Sequence, residues 1–393
     1  MYKNSAVLEE KTVDDMFDNT LKGSATRLGT FAGCPYRYFA RYVLDLKKRR
    51  EFSLEPLDLG NFYHGVLDAL VKRINAEHID FAGAGNESLL KILNEEIEKF
   101  IKANSFLSHF MNRRAYNEFI INSACEVLQD FVPAMAEMIR AGSFRPCVSE
   151  IAFGNIKDNP ETLGNFELEL PGNRSISLSG KIDRLDTAEI ENVKKVIIFD
   201  YKRRDTSFNW AKLYHGLNLQ LPIYMLAARG VANSKYENII GAFLLPVEAK
   251  TEKTTFKELE NKKDAFDYKA RGIFDGSYFK HLDKNINSGW SKFYNFGVTK
   301  GDEQYGYYTS SGSLKPDDFN RILELARDKI ISLAKEILSG KITVNPYRLG
   351  QESPCEYCDY LSVCRFDWQI NEYNSLESLG KIKVLEKNGR GNG

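Results

Sequence analysis

Two acidic residues and a lysine lie at the ends of apolar runs in the middle of the sequence. Asp183 follows "SLSGKI", and Asp200 follows "VIIF" with Lys202 two positions further on. Residues two apart on a strand point to the same face, so Asp200 and Lys202 share one, and a short hairpin would bring Asp183 beside them. Two carboxylates suit a hard cation such as Mg²⁺, and a nearby ammonium can orient a metal-bound water or stabilise a phosphoryl oxygen. The pattern predicts a hydrolytic metal site, although Asp-x-Lys also occurs on solvated strand faces.

A downstream helical pattern adds two polar residues. In "LQLPIYML", Gln220 and Tyr224 are four positions apart and therefore share one helix face. They could donate hydrogen bonds at the rim of a site, or they could be satisfied polar groups of the core. The residues alone leave both interpretations open.

Three of the six cysteines are clustered near the C-terminal end. Cys355, Cys358 and Cys364 have the spacing C-x₂-C-x₅-C, and Cys34 lies far upstream. Clustered thiolates select zinc or an iron–sulfur cluster. Zinc sites with four cysteines usually contain two C-x₂-C pairs, so a division of three plus one fits a [4Fe–4S] cluster better.

The elements that position these residues follow from changes in hydrophobic period. Up to about residue 140, apolar residues recur at helical spacing. Short runs rich in β-branched and aromatic residues then follow, from "CVSEIAFG" to "KKVIIFDYK", before a helix, another strand and the long helix in "DDFNRILELARDKIISLAKEIL". This order predicts an α/β or α+β core in which a mixed sheet is flanked by helices.

The composition gives no argument for a particular partner. Lys+Arg and Asp+Glu both number 54, so any nucleic-acid or membrane contact would need a local patch. No apolar run approaches the ~18 residues that span a bilayer, and the first residues do not resemble a secretory signal. The sequence predicts a cytoplasmic protein with no membrane partner.

The motifs together resemble the PD-(D/E)xK nuclease superfamily, and more narrowly its RecB/AddB-type branch with a [4Fe–4S] cluster. The resemblance depends on "GKIDRLD", "VIIFDYK" and the Gln-x-x-x-Tyr helix. It implies a restriction-endonuclease-like mixed sheet flanked by helices, with a helical N-terminal region and an iron–sulfur-bound C-terminal segment.

The resemblance also implies roles for the residues of the two strands. Asp183 and Asp200, together with the backbone carbonyl of Tyr201, would bind Mg²⁺ or Mn²⁺. Lys202 would be the catalytic lysine that assists the attacking water.

Four further residues outside those strands match the family pattern. Gln220 and Tyr224 would be the helix motif that contacts the site or DNA. His64, in "GNFYH", would be an additional metal ligand or water-positioning residue, and Glu150, in "SEIAFG", matches an acid on the first core strand.

The resemblance also covers the cysteines. In AddB-like nucleases, a [4Fe–4S] cluster is held by one cysteine before the nuclease core and three cysteines after it. The implied ligands are Cys34, Cys355, Cys358 and Cys364. Such a cluster would tie together distant parts of the chain, which indicates a structural role.

Basic side chains that could contact DNA gather at Lys47–Arg50 and at 202–204, and aromatic residues make up 12% of the chain. Arg203 and Arg204 are the candidates for phosphate contacts, because a basic groove with stacking platforms suits single-stranded DNA. Solvated charge runs are the alternative.

The expected function is that of a Mg²⁺- or Mn²⁺-dependent deoxyribonuclease, an exonuclease that acts on DNA with a single-stranded end in end processing, recombination or repair. Alternatives are a DNA-binding or assembly module without turnover and a CRISPR-associated RecB-like nuclease. The sequence lacks a G-x-x-x-x-G-K-[ST] phosphate loop. The chain is therefore expected to be a stand-alone relative or the nuclease part of a longer chain, with any helicase supplied by a partner protein or region.

The sequence is divided into six expected segments. They are a flexible N-terminal segment (1–24), a helical region (25–145), the nuclease core (146–250), a helical and irregular extension (251–345), the cysteine segment (346–370) and a tail (371–393).

Overall fold

The computed structural model describes residues 6–17, 19–47, 56–154, 162–230, 236–249 and 266–389. None of the helices in these ranges combines the length and the apolarity needed to cross a bilayer.

Helices dominate the chain up to residue 141. In order, the elements are α1 (Glu10–Met16), β1 (Thr20–Gly23), α2 (Ala25–Gly33), α3 (Pro35–Tyr38), α4 (Pro56–Ala76), α5 (Asn86–Ala103), α6 (Ser105–Met111) and α7 (Ala115–Ala141). A π-helical turn, Phe39–Val43, continues α3.

Strands form most of the next part. They are β2 (Arg145–Phe153), β3 (Phe166–Leu170), β4 (Arg174–Leu178), β5 (Gly180–Ile190) and β6 (Val193–Lys202), followed by α8 (Trp210–Tyr214), α9 (Gln220–Gly230) and β7 (Ile239–Pro246).

The last part mixes short strands with helices. Its elements are β8 (Arg271–Asp275), α10 (Phe279–Leu282), β9 (Gly289–Trp290), β10 (Gly297–Val298), β11 (Ser313–Leu314), α11 (Pro316–Leu338), β12 (Tyr347–Arg348), α12 (Leu361–Cys364), β13 (Asn374–Ser375) and α13 (Lys381–Gly389).

A mixed six-stranded sheet with the order β11-β8-β7-β6-β5-β2 forms the centre of the fold. Strands β2, β5 and β6 are antiparallel neighbours, whereas β6 and β7 are parallel because α9 connects them. A smaller sheet, β1-β4-β3, shares a hydrophobic cluster with the central sheet. This architecture is the predicted mixed sheet flanked by helices.

The apolar run before Asp200 is buried on both faces of the sheet. Val196 and Ile198 pack in one hydrophobic cluster with α9 and α11, while Ile197 and Phe199 pack in a second cluster with α4 and α7. All four side chains have no exposed surface. The continuous apolar run is thus the pattern of a central strand covered on both sides.

The N-terminal segment differs from the flexible chain expected over 1–24. Residues Glu10–Met16 are helical, and β1 pairs in parallel with β4. Leu21 is buried, and the backbone of Leu8 donates to Gly340. The reason is tertiary: a short polar segment is ordered by pairing with strands that are distant in sequence.

The C-terminal half also differs from the expected extension and tail. Strands β8 and β11 complete the central sheet, which therefore extends beyond residue 250. Within the expected tail, α13 buries Val384, and the buried Lys381 donates from Nζ to the carbonyl oxygens of Ser311 (3.1 Å) and Ser313 (2.6 Å).

Candidate active site

The two predicted acids come together because β5 and β6 are antiparallel. Arg184 pairs with Phe199, and the next residues along the two strands are Asp183 and Asp200. Both carboxylates are buried. The juxtaposition expected from the sequence is therefore present at one end of this strand pair.

Asp200 is held by a network from its own strand and from α9. Lys202 Nζ lies 2.6 Å from Asp200 Oδ2, and Gln220 Nε2 donates to Asp200 Oδ1 over 2.7 Å. Lys202 also donates to Gln220 Oε1 (2.9 Å), and Gln220 Nε2 lies 2.9 Å from Tyr224 Oη. Gln220 thus links the acid, the lysine and the tyrosine, as the spacing of two on a strand and four on a helix predicts.

Asp183 makes a different set of contacts. The backbone N–H of Tyr201 donates to Asp183 Oδ2 over 2.6 Å, and His64 Nδ1 lies 3.1 Å from Asp183 Oδ1. The His64 ring also packs edge-to-face on the ring of Tyr201. His64 comes from α4 and Gln220 from α9, so helices packed on opposite faces of the sheet meet at the site.

Glu150 completes a group of possible ligands with His64 and Asp183. One ligand atom from each lies within 4.8 Å of the others. Carboxylates suit Mg²⁺ and Mn²⁺, and imidazole extends the preference toward transition metals such as Mn²⁺. The donors present therefore fit a divalent cation of this kind.

Asp200 and Tyr201 are placed less directly for binding a cation than the sequence suggests. Both oxygens of Asp200 already contact Gln220 or Lys202, and Asp200 is outside the 4.8 Å group. Tyr201 contributes its N–H to the site through Asp183, and a role for its carbonyl stays a prediction.

Burial and neighbouring charges shift the pKa of three groups at the site, Asp200, Glu150 and His64. Burial, reinforced by the charge of Asp183, raises the pKa of Asp200 to about 7, and burial also raises the pKa of Glu150. Burial alone would lower the pKa of His64, but the hydrogen bond and charge of Asp183 outweigh it and leave the pKa raised. A bound cation would favour the ionised acids, because opposite charge stabilises the charged form.

One residue near the site was missed by the sequence reasoning. Lys181 forms an ion pair with Glu150. The sequence spacing could have indicated this position. Lys181 is two residues before Asp183 on β5, and residues two apart on a strand share a face.

The two arginines predicted to contact DNA, Arg203 and Arg204, both form ion pairs with Glu248. Arg203 Nε is 3.5 Å and Arg204 Nε 3.3 Å from the carboxylate of Glu248, although Arg204 remains three-quarters exposed. Lys47 pairs with Asp45 on the surface, and the rest of that basic run (48–50) lies outside the described residues. The phosphate contacts stay predictions.

The four predicted cluster cysteines line one cavity although they come from opposite ends of the chain. They are Cys34, Cys355, Cys358 and Cys364. All are free thiols, and burial raises the pKa of Cys34, Cys355 and Cys364. Four cysteine side chains that line one cavity suit metal coordination.

A family model matches most of the chain. The model described as the PD-(D/E)XK nuclease superfamily matches residues 22–365.

Curated relatives are similar over nearly the whole chain. A protein of Alkaliphilus metalliredigens is 28% identical over 96% of this chain, one of Clostridioides difficile 29% over 96% and one of Clostridium botulinum 30% over 97%. Each is named as a subunit of an ATP-dependent helicase/deoxyribonuclease, and in each the match covers 33% of the relative. The chain thus spans about a third of the length of these relatives.

Proposed function

Because the chain belongs to the PD-(D/E)XK nuclease superfamily, we propose that it is a metal-dependent deoxyribonuclease that hydrolyses DNA phosphodiester bonds in repair or recombination. The observation that carries the proposal is the convergence of Asp183, Asp200 and Lys202 at one end of the β5–β6 pair. Similarity to proteins named as helicase/deoxyribonuclease subunits supports DNA as the substrate and the AddB-type branch over a CRISPR-associated one.

The proposed cation ligands are His64, Glu150 and Asp183, with Asp200 and the carbonyl of Tyr201 as further candidates. When bound, Mg²⁺ or Mn²⁺ supplies charge that polarises a phosphoryl oxygen and lowers the pKa of a coordinated water. The backbone N–H of Tyr201 fixes the orientation of Asp183, since it occupies Oδ2 and leaves Oδ1 facing His64.

Lys202 is the proposed catalytic lysine. Its ammonium has three donors, and contacts with Asp200 and Gln220 account for two of them. The third is available for the attacking water or for a phosphoryl oxygen that gains negative charge in the transition state. Gln220 holds the ammonium in place through its own contact with Tyr224.

The experiment that tests this function measures release of labelled nucleotides from DNA in Mg²⁺ or Mn²⁺. Asp183→Asn and Lys202→Met should each lower the cleavage rate by about 10²- to 10⁴-fold, because they remove a ligand charge or a transition-state contact. Asp328→Asn and Lys335→Met change exposed residues of α11 and serve as matched controls with wild-type rates.

Cleavage at the wild-type rate by Asp183→Asn or Lys202→Met would contradict the assignment. DNA binding by the wild type without cleavage in either metal would favour the alternative, a DNA-binding or assembly module.

Exonuclease action at a single-stranded end and a helicase partner are also parts of the proposal. The relatives' name, which describes a subunit of an enzyme that is both helicase and deoxyribonuclease, supports a partner of this kind. The proposed location is the cytoplasm. Digestion of linear but not circular single-stranded DNA is the expected result, and equal digestion of both would contradict exonuclease action.

We further propose that the four cysteines hold a [4Fe–4S] cluster. The four side chains line one cavity, which supports a shared metal group. Zinc sites with four cysteines usually contain two C-x₂-C pairs, so the division into three clustered cysteines and one distant cysteine supports the iron–sulfur cluster.

A further inference from the structure

The candidate active site contains a second lysine that the proposed function does not use. Lys181 lies near the start of β5 and forms an ion pair with Glu150, which belongs to the group of possible cation ligands. The side chain of Lys181 is 52% exposed, whereas that of Glu150 is 11% exposed. The ammonium of Lys181 therefore lies at the boundary between solvent and the ligand group.

The acids of the site each have one basic partner. The pairs are Asp200 with Lys202, Asp183 with His64, and Glu150 with Lys181. The two lysines differ in how firmly they are held, because Lys202 also donates to Gln220 and is only 30% exposed. Between the two, Lys181 is the lysine that leaves its acid more easily.

Lys181 and a divalent cation would compete for the carboxylate of Glu150. An ion pair with a half-exposed lysine is weak, since water screens it. A divalent cation carries twice the charge of an ammonium and prefers carboxylate oxygens as ligands. When His64, Glu150 and Asp183 bind a cation, Lys181 would therefore lose its partner, and like-charge repulsion would turn its ammonium away from the ligand group.

An ammonium released at this position lies where the DNA backbone must approach. Hydrolysis requires a phosphate next to the ligand group, and an ammonium forms strong charge-assisted hydrogen bonds with phosphate oxygens. Lys202 is held at Asp200, and Lys181 starts from Glu150, so the two lysines lie at different acids of the site. They would contact different oxygens of the DNA backbone.

We propose that Lys181 is a phosphate-binding residue that becomes available when the cation site fills. It neutralises Glu150 until a divalent cation binds, and its ammonium then donates to a phosphate that flanks the scissile bond. The inference rests on the proposed function and adds a substrate-binding residue to it. The ion pair with Glu150, the place of Glu150 in the ligand group and the exposure of Lys181 carry it.

The first measurement is Mn²⁺ binding by isothermal titration calorimetry without DNA. Lys181→Met should bind Mn²⁺ about 2- to 5-fold more tightly than the wild type, because the ammonium no longer competes for Glu150. If Lys181 served only to hold Glu150 in place, the same variant would bind Mn²⁺ more weakly, and that result would overturn the proposal. Lys194→Met removes an exposed lysine of β6 and is the matched control with wild-type affinity.

The second measurement is steady-state cleavage of labelled DNA at saturating Mn²⁺. Lys181→Met should raise KM by about 5- to 50-fold and change kcat by less than about 3-fold, because a flanking phosphate is bound equally before and during the reaction. The rise in KM should shrink as the salt concentration increases, since the lost contact is electrostatic. Lys181→Arg should keep a KM near that of the wild type, because a guanidinium also donates to phosphate.

The control variant separates the role of this lysine from a general loss of positive charge. A Mn²⁺ affinity or a KM in Lys181→Met equal to that of Lys194→Met would overturn the proposal. If the wild type cuts DNA and Asp183→Asn does not, such a result refutes the role of Lys181 alone. If Asp183→Asn still cuts, the proposed function itself fails.

Discussion

At the scale of single residues, the backbone of Glu150 is the unusual feature of the site. Its φ is +54°, a left-handed conformation that residues other than glycine seldom adopt. The neighbouring residues Ser149 and Ile151 pair normally with β5. This backbone conformation costs energy. With it, the Glu150 carboxylate lies within the ligand group formed with Asp183 and His64.

Glu150→Gln should therefore lower Mn²⁺ affinity by at least about 10-fold, because the amide keeps the size and loses the charge. Isothermal titration calorimetry measures this directly. Glu189→Gln, an exposed acid on β5, is the control and should bind Mn²⁺ like the wild type. Unchanged affinity in Glu150→Gln would remove this residue from the ligand set.

The residues of the site differ in how far the sequence could predict their positions. The contacts of Lys202 with Asp200 and of Gln220 with Tyr224 follow from spacings of two and four, which local geometry fixes. The role of His64 at the site was predicted from the family resemblance only. Its position depends on how α4 packs on the sheet, which the local sequence does not determine. The contribution of Glu150 depends on one φ angle that no hydrophobic pattern encodes.

At the scale of elements, a buried charge network joins β5, β6 and α7 beneath the site. Arg184 Nε lies 2.8 Å from Asp186 Oδ1, and both side chains are almost completely buried. Arg184 Nη1 donates to Tyr201 Oη (3.0 Å) and contacts Met135 of α7. The network thus holds Tyr201, whose N–H orients Asp183.

Arg184→Met should lower the free energy of unfolding by about 3–5 kcal/mol, because it leaves the charge of Asp186 buried without a partner. The double variant Arg184→Met/Asp186→Leu should recover much of that loss, since no charge remains buried. Urea unfolding followed by circular dichroism gives both values.

Lys102→Met is the control for this pair of variants. It breaks the exposed ion pair with Glu98 and should cost less than about 1 kcal/mol. A loss in Arg184→Met no greater than that of Lys102→Met would show that the buried pair does not stabilise the fold.

Elements with strong hydrophobic periods could be predicted, whereas those ordered by distant contacts could not. The buried run "VIIF" identified β6, and the amphipathic pattern after residue 316 identified α11. Strand β1 has four residues and becomes a strand only because β4 pairs with it. Likewise, α13 is polar apart from a few residues that pack on the rest of the chain.

At the scale of the whole molecule, the cysteine cavity joins parts of the chain that the 320 residues 35–354 separate. Cross-linking so long a loop removes conformational entropy from the unfolded chain, on the order of 5 kcal/mol. A bound cluster would therefore stabilise the fold as a whole and not only the loop that holds it.

Protein purified without oxygen should be brown and contain iron and acid-labile sulfide in equal amounts. Cys34→Ser should lose the colour and unfold at a lower temperature, whereas Cys125→Ser should keep both properties, because Cys125 lies on α7 outside the cavity. Absorption spectra, metal analysis and thermal unfolding are the measurements. A colourless wild type with stoichiometric zinc would reject the cluster.

The side chain of Lys381 binds backbone acceptors at one edge of the central sheet. Its bonds to Ser311 and Ser313 occupy carbonyl oxygens beside and within β11, the outermost strand of the sheet. At the opposite margin, Asn75 of α4 donates to the carbonyl of Cys147 in β2. Open strand margins recruit foreign strands and lead to aggregation. These side chains occupy backbone acceptors that an added strand would need, so we expect them to disfavour such self-association.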